Sequence, residues 1–338
     1  MLYELPEFEY FEPSNLNEAL EILGRYDGRA KVLGGGTDLL GLMKDRVAGQ
    51  KMPLPSALVN IKKIEELGRV THGDSETEVG SAVTLSQIAG DPKINERYAA
   101  FAQAAASVAT YQIRNMGTLG GNLCQRPWCW YFRHPAFDCF KKGGKQCYAI
   151  TGDNSTYFSV YNLGTCVMSH PSDTAPALIA LGARVRIASP RASGGVKELD
   201  LEDFFLGPKS VKDNVLEPDE IVVSVRIPRK AVRSAYIKHR VRNNWDFALA
   251  SVAVAGSVDP KAGTIESLRL VLGGVAPLPM LVKQATDLGV GRKSDAKLKQ
   301  EIQALLSKQA KPLRMNSYKV RIVRTLAARA LDSIFTPS

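Results

Sequence analysis

Apolar and polar positions along the chain switch between a helical and a strand period, and the switches mark its elements. Ser14 to Leu23 opens on a polar cap and carries Leu16, Ala19, Leu20 and Leu23 on one stripe, the spacing of an amphipathic helix. Ala30-Lys31-Val32-Leu33 predicts a short buried strand; it runs into Gly34-Gly35-Gly36-Thr37-Asp38 and then a helical segment, Leu39 to Lys44. Ala57 to Ile61 and Val70 to Val79 predict further strands, and Leu85 to Ala89 a short helix. Asn95 to Val108 reads as one alanine-rich helix leading through Ile113-Arg114-Asn115 to a second glycine turn, Met116 to Leu123. A strand, a glycine turn and a helix start together suit a phosphate, because glycine lets backbone N–H groups approach an anion and the helix start adds positive potential. The spacing matches neither the Rossmann fingerprint nor a P-loop, so a plain tight turn explains each as well. Two such turns would grip the two ends of one long dinucleotide.

The second half reads mainly as strands. Ala175 to Leu181 predicts a helix, Ala183 to Ala188 an alternating strand, Leu199 to Phe205 a short acidic helix, and Glu220 to Ile227 a strand ended by Pro228. The basic neighbourhood of Arg229, Lys230 and Arg233 is the expected boundary between domains 1–228 and 229–338. Tyr236 to Arg242, Phe247 to Val258 and Leu268 to Gly274 then predict a second sheet, followed by helices over Asp295 to Lys308 and Ser317 to Leu331. In the last helix Val320, Val323, Ala327 and Leu331 recur at helical spacing and are expected in the core.

Composition adds bounds. The 338 residues are enough for two domains, and no apolar run approaches the roughly 20 residues of a membrane span. No basic segment followed by an apolar one opens the chain, which points to the cytoplasm, or to the periplasm if a partner carries the export signal. The net charge of +10 is spread along the chain and no nucleic-acid module accompanies it. A solvated surface or an acidic partner is therefore expected rather than nucleic acid.

All five cysteines, Cys124, Cys129, Cys139, Cys147 and Cys166, lie between the second glycine turn and Ser169-His170-Pro171-Ser172-Asp173. Zinc sites favour two C-x2-4-C pairs, and here Cys124 and Cys129 make one loose pair with no second; disulfides leave one thiol over; an iron–sulfur cluster takes four thiolates and does not demand tight spacing. Spacing alone leaves these open. Trp128, Trp130, Tyr131 and Phe132 would shield a cluster or serve as ordinary core, and His134 and His170 are expected to hydrogen-bond rather than to bind metal.

The segment Leu33-Gly34-Gly35-Gly36-Thr37-Asp38-Leu39-Leu40 resembles the first flavin motif of the FAD-binding medium subunits of the xanthine dehydrogenase family of molybdenum hydroxylases. Gln112 to Leu123 is similar to that family's second motif and His170 to Leu178 to its third. Pro218 to Val222, the Lys238 strand, Trp245 to Ala248 and Gly273 to Pro277 fit later landmarks, so the resemblance spans nearly the whole chain. It implies an α+β fold: a two-lobed FAD-binding domain of the vanillyl-alcohol-oxidase and CO-dehydrogenase flavoprotein type, with a smaller α+β C-terminal domain.

The resemblance also implies roles. Val32, Leu33, Gly34, Gly35, Gly36, Thr37, Asp38 and Leu39 would hold the FAD pyrophosphate with Thr118, Gly121 and Asn122. Asp173 would bond the ribityl chain or nearby flavin groups, Val222 would approach through its backbone, and Lys238 would sit near the ring. Between Asn122 and Ser172 the chain departs from the commoner members by a long insertion, about 123–168. A subset of the family, similar in this respect, carries an extra [4Fe–4S] cluster there, which implies Cys129, Cys139, Cys147 and Cys166 as ligands with Cys124 left over. The function implied is electron transfer, from [2Fe–2S] clusters of a small partner subunit, serving a molybdopterin large subunit, through FAD to an external acceptor. A self-contained flavin oxidase of a small molecule is the alternative, and a basic metal-binding module for nucleic acid a more distant one. No acid–base dyad is expected.

Overall fold

The computed structural model describes residues 4–335, so the opening Met1-Leu2-Tyr3 lies outside the described residues. The first lobe is a parallel sheet in the order β1-β3-β2, built from β1 (Glu9–Phe11), β2 (Ala30–Leu33) and β3 (Ala57–Asn60). Helix α1 (Leu16–Arg25) is capped by Asn15, whose side chain accepts from the Glu18 amide at 3.0 Å, and it buries Ala19, Ile22 and Leu23 against this sheet. Helix α2 (Leu39–Lys44) follows the first glycine turn.

The second lobe is an antiparallel sheet in the order β4-β5-β8-β6-β7. Val70 to Val79, read as one strand, is a hairpin of β4 (Val70–His72) and β5 (Glu76–Gly80), because Gly73-Asp74-Ser75 turns the chain back. Helix α3 (Leu85–Gly90) carries a reciprocal cap between Thr84 and Gln87. The alanine-rich stretch is also two elements, α4 (Pro92–Arg97) and α5 (Ala99–Ser107). Tyr98 breaks them at φ −136° and ψ 54°, buried with its hydroxyl on the Ile227 carbonyl at 3.1 Å. A long-range hydrogen bond from a buried phenol outweighs local helix preference here. Helices α6 (Tyr111–Met116) and α7 (Leu119–Cys124) flank the second glycine turn, and α8 (Trp130–Arg133) lies in the cysteine segment. Then come α9 (Thr174–Ala180), β6 (Arg184–Ala188), β7 (Val196–Asp200), α10 (Leu201–Phe204) and β8 (Ile221–Pro228).

The last unit is an antiparallel sheet in the order β12-β11-β10-β9, from β9 (Arg233–His239), β10 (Ala250–Val258), β11 (Ile265–Gly273) and β12 (Met280–Leu281), with α11 (Lys283–Gly289), α12 (Ala296–Gln309) and α13 (Tyr318–Phe335). Side chains alternate across a strand, so the two faces of β10 have different fates. Val252 and Val254 pack with Val323, Ala327 and Leu331 of α13, while Ala253 and Ala255 join the core of the second lobe. Burial on both faces explains the unbroken apolar run of this strand.

The insertion 125–168 forms mostly irregular backbone around its own apolar cluster, which includes Phe132, Phe158, Val167 and Met168. It is buckled to the last unit: the amides of Val160 and Tyr161 donate to the Val275 carbonyl at 2.8 and 3.0 Å. Asn316 donates to the Ser159 carbonyl at 3.1 Å, and the buried Lys319 ammonium to the carbonyls of Phe158 and Gly274 at 2.9 and 3.1 Å. Burial holds this lysine's pKa down to about 7.

Candidate functional site

The first glycine turn leaves β2 with its donors free. The amides of Gly34, Gly35, Gly36, Thr37 and Asp38 find no acceptor among the described residues, although the chain around them is at least half covered except at Thr37. Gly36 adopts φ +73°, a conformation that costs other residues strain, and so the amides can run on into the start of α2. Five consecutive unpaired donors ahead of a helix start suit an anion such as a diphosphate.

The second glycine turn lies directly against the first. A Cβ on Gly35 would stand 2.0 Å from the Met116 carbonyl oxygen, and one on Gly34 2.6 Å from the Thr118 hydroxyl. The two turns therefore form one continuous floor, not two separate grips. Thr118 caps α7 by accepting from the Gly121 amide at 3.2 Å, and the Gly120 amide donates to Ser81, whose own amide donates to Val223 of β8. Val222, the next residue along β8, pairs with Ile187 and turns its side chain into the second-lobe core.

Asn122 and the third motif meet below this floor. The Asn122 Oδ1 accepts from the Ser172 and Thr174 hydroxyls, both at 2.6 Å. Asp173 itself faces the last unit: its carboxylate accepts from the Tyr236 hydroxyl at 2.6 Å and from the Lys238 ammonium at 2.6 Å. Both side chains of the Asp173–Lys238 pair are only 4% exposed, and Lys238 also donates to the Ser107 carbonyl at 3.2 Å. Lys238 is thus one half of a buried neutral pair and not a bare cation. Tyr236 is a partner that sequence reading missed; its place two residues before Lys238, on the opposite phase from Ile237, was the available signal. His170 is buried with its Nε2 unpartnered, and burial holds its pKa down to about 4, with Asp213 and Lys141 the charged groups acting on it.

Asp38 points elsewhere. Its carboxylate accepts from the Arg126 amide at 2.8 Å and pairs with Arg133, so it ties the first glycine turn to the cysteine segment. A carboxylate turned away from the free amides leaves them open to an anion.

The five cysteines are all free thiols and divide into one set of four and one outlier. Cys129, Cys139, Cys147 and Cys166 belong to the apolar cluster of the insertion, whereas Cys124 packs against the second-lobe core. Nearby backbone amides act to lower the pKa at every sulfur of the four: those of Phe132 and Tyr131 at Cys129, Lys141 and Lys142 at Cys139, Val167, Ala149 and Ile150 at Cys147, and Met168 at Cys166. Cys147 and Cys166 act on each other, which pulls the Cys147 pKa down and, with burial, pushes that of Cys166 up. Burial pushes Cys129 up to about 12, and Cys124 also to about 12, with no amide acting on the latter. Among the described residues no three acidic, histidine or cysteine side chains converge closely enough for a single metal ion. Of the four aromatic residues expected from the sequence to shield the thiols, only Phe132 is fully buried, and Phe158 joins it in the cluster; Trp128 and Trp130 are 38% and 43% exposed. These two line an open cleft of about 700 Å³ between the insertion, the end of α2 and the β9–β10 connection, with Trp245 and Phe247 on its other side.

Residues 6–230 match the family described as the FAD binding domain in molybdopterin dehydrogenase, and residues 235–334 the CO dehydrogenase flavoprotein C-terminal domain. The chain belongs to the FAD-binding medium-subunit family of the molybdenum hydroxylases. It is 31% identical over 307 residues to the aldehyde oxidoreductase FAD-binding subunit PaoB of Escherichia coli K12, covering 88% of this chain and 90% of that one. It is 27% identical to the carbon monoxide dehydrogenase medium chain of Hydrogenophaga pseudoflava, covering 97% of each. A solved structure of that carbon monoxide dehydrogenase superposes with a TM-score of 0.77 over 98% of both chains at 24% identity, which shows the shared fold. The α+β fold and FAD binding expected from the motifs follow from this membership, and no helix of the described residues is long and apolar enough to cross a membrane.

Proposed function

We propose that this flavoprotein subunit works in a complex with a molybdopterin-binding large subunit and a [2Fe–2S] small subunit, delivering electrons from substrate oxidation to an external acceptor. Bound FAD supplies the conversion between one-electron and two-electron transfer. The observation that carries the reading is the row of free amides at Gly34 to Asp38, backed by the Thr118, Gly121 and Asn122 turn packed against it. Val32, Leu33 and Leu39 hold the ends of that row, and Asp38 keeps it in register with the insertion. Asp173, with Tyr236 and Lys238, forms the polar wall between the flavin lobes and the last unit, and the β8 backbone at Val223, next to Val222, buttresses the same floor through Ser81. The work proposed for the chain is to bind, orient and shield the flavin.

The four thiols Cys129, Cys139, Cys147 and Cys166 are read as ligands of a [4Fe–4S] cluster, with Cys124 outside. Backbone amides that act on each of the four sulfurs, burial or half-burial of the thiols, and a shared apolar shell are an environment that suits such a cluster. The compartment is read as the cytoplasm, or as the periplasm with export on a partner's signal.

Absorbance with flavin, iron and sulfide analysis on protein purified without oxygen tests both readings. About one FAD and about four irons per chain are expected. Flavin without iron would remove the cluster, and a partner-free preparation whose flavin is reduced directly by a small molecule would favour the self-contained oxidase.

A further inference from the structure

The turn after Cys139 buries positive charge that the described residues do not balance. Lys142 is 0% exposed, and its ammonium donates to one carbonyl, that of His134, at 2.8 Å. Among the described residues no carboxylate lies within ion-pair distance of it. The groups of negative character acting on it are the thiols of Cys139 and Cys129 and the exposed carboxylate of Asp138. Its neighbour Lys141, 1% exposed, reaches Asp213 at 2.6 Å, but Asp213 also pairs with Arg126 at 2.9 Å. Two cations on one buried carboxylate leave a second positive charge uncompensated. Lys142 acts on the Cys139 sulfur and Lys141 on that of Cys166, so both charges face the four-thiol set.

A buried ammonium met by one carbonyl is strongly unfavourable, and neutral thiols do little to relieve it. Four thiolates around an oxidised [4Fe–4S] core form a dianion, which matches the two uncompensated charges; one-electron reduction makes it a trianion, and the nearby cations favour that state more. We propose that Lys142, backed by the Lys141–Arg126–Asp213 group, is the counter-charge of a cluster held by Cys129, Cys139, Cys147 and Cys166 and raises its reduction potential. This rests on the cluster reading above, and the test separates the two.

The test compares the anaerobically purified complex containing the wild-type chain, Lys142→Met or Lys142→Arg. Iron and FAD are counted first; the cluster is then titrated with dithionite, which supplies the electron, and the reduced signal is followed by electron paramagnetic resonance. Lys142→Met at full iron and FAD content should weaken reduction about tenfold, a shift of about 59 mV downward for one electron, and Lys142→Arg should restore most of it. An unchanged potential in an iron-replete Lys142→Met protein overturns the inference. If Lys142→Met loses its iron, the arginine variant decides: iron retained with Arg supports the counter-charge, whereas loss in both makes Lys142 a packing residue and overturns it. Wild-type protein lacking iron sinks the cluster reading itself, and the counter-charge with it.

Discussion

Replacing Asp173 by Asn leaves the Lys238 ammonium buried without its counter-charge, held by neutral acceptors alone. The pair is 2.6 Å apart with both side chains 4% exposed, so solvent offers little relief. Breaking a buried pair from one side costs about 3–5 kcal/mol, and the surviving bond from Lys238 to Ser107 puts this case near the lower end, about 3 kcal/mol. For a unit of this size that corresponds to a drop in Tm of about 6–12 °C. Lys238→Met should be milder, about 2 kcal/mol, because Asp173 keeps the Tyr236 hydroxyl. The Asp173→Asn, Lys238→Met double variant removes both charges and should recover about 2 kcal/mol of the summed cost. The assay is thermal unfolding of the flavin-loaded chain, with FAD release followed by fluorescence in parallel. Strictly additive single effects, or an Asp173→Asn protein within about 2 °C of wild type, would refute the claim that these residues act as one buried unit.

Other consequences are equally direct. Gly35→Ala places a methyl 2.0 Å from the Met116 carbonyl and must part the two glycine turns; a loss of about 1–3 kcal/mol and FAD binding weakened about tenfold or more are expected, and wild-type flavin content by absorbance would contradict the shared floor. His170 has its pKa held down to about 4 in the folded chain against about 6.5 when unfolded. The unfolded chain therefore binds an extra proton between these values, and stability falls by about 3 kcal/mol as pH drops through that window. His170→Gln should flatten this part of the Tm–pH curve; a variant that tracks wild type would show that His170 is not responsible. Cys124→Ala should keep the full iron content of wild type while Cys129→Ala or Cys166→Ala loses it, as read by iron and sulfide assay; iron lost with Cys124 would redraw the ligand set.

The motif residues were legible because glycine runs, and the Ser-Asp-Thr and Asn that answer them, are local signatures of a backbone that must come close to a ligand. Their partners were less so. Tyr236 and Lys238 meet Asp173 across more than sixty positions, and Arg126 and Arg133 meet Asp38 across about ninety. The split at Tyr98 and the hairpin within Val70 to Val79 were misread for related reasons: a phenol's distant hydrogen-bond partner lay outside any local window, and a three-residue turn hid inside an otherwise strand-like run. The short strands β1 and β7 were missed because three residues, two of them exposed, and five mostly half-covered ones carry too little pattern.

By itself the sequence determined which backbone segments are free of side-chain bulk, which thiols are available, and which family the chain belongs to, since these depend on residue identity at fixed spacing. It also determined the apolar stripes of α1 and α13. Only the tertiary structure decided that the two glycine turns are one floor, that four thiols share a shell from which Cys124 is excluded, and that Lys142 is buried without a carboxylate. Such facts depend on which distant segments share a volume. Burial and charge compensation are properties of that volume, because the cost of a charge is set by what surrounds it in space and not by its neighbours along the chain.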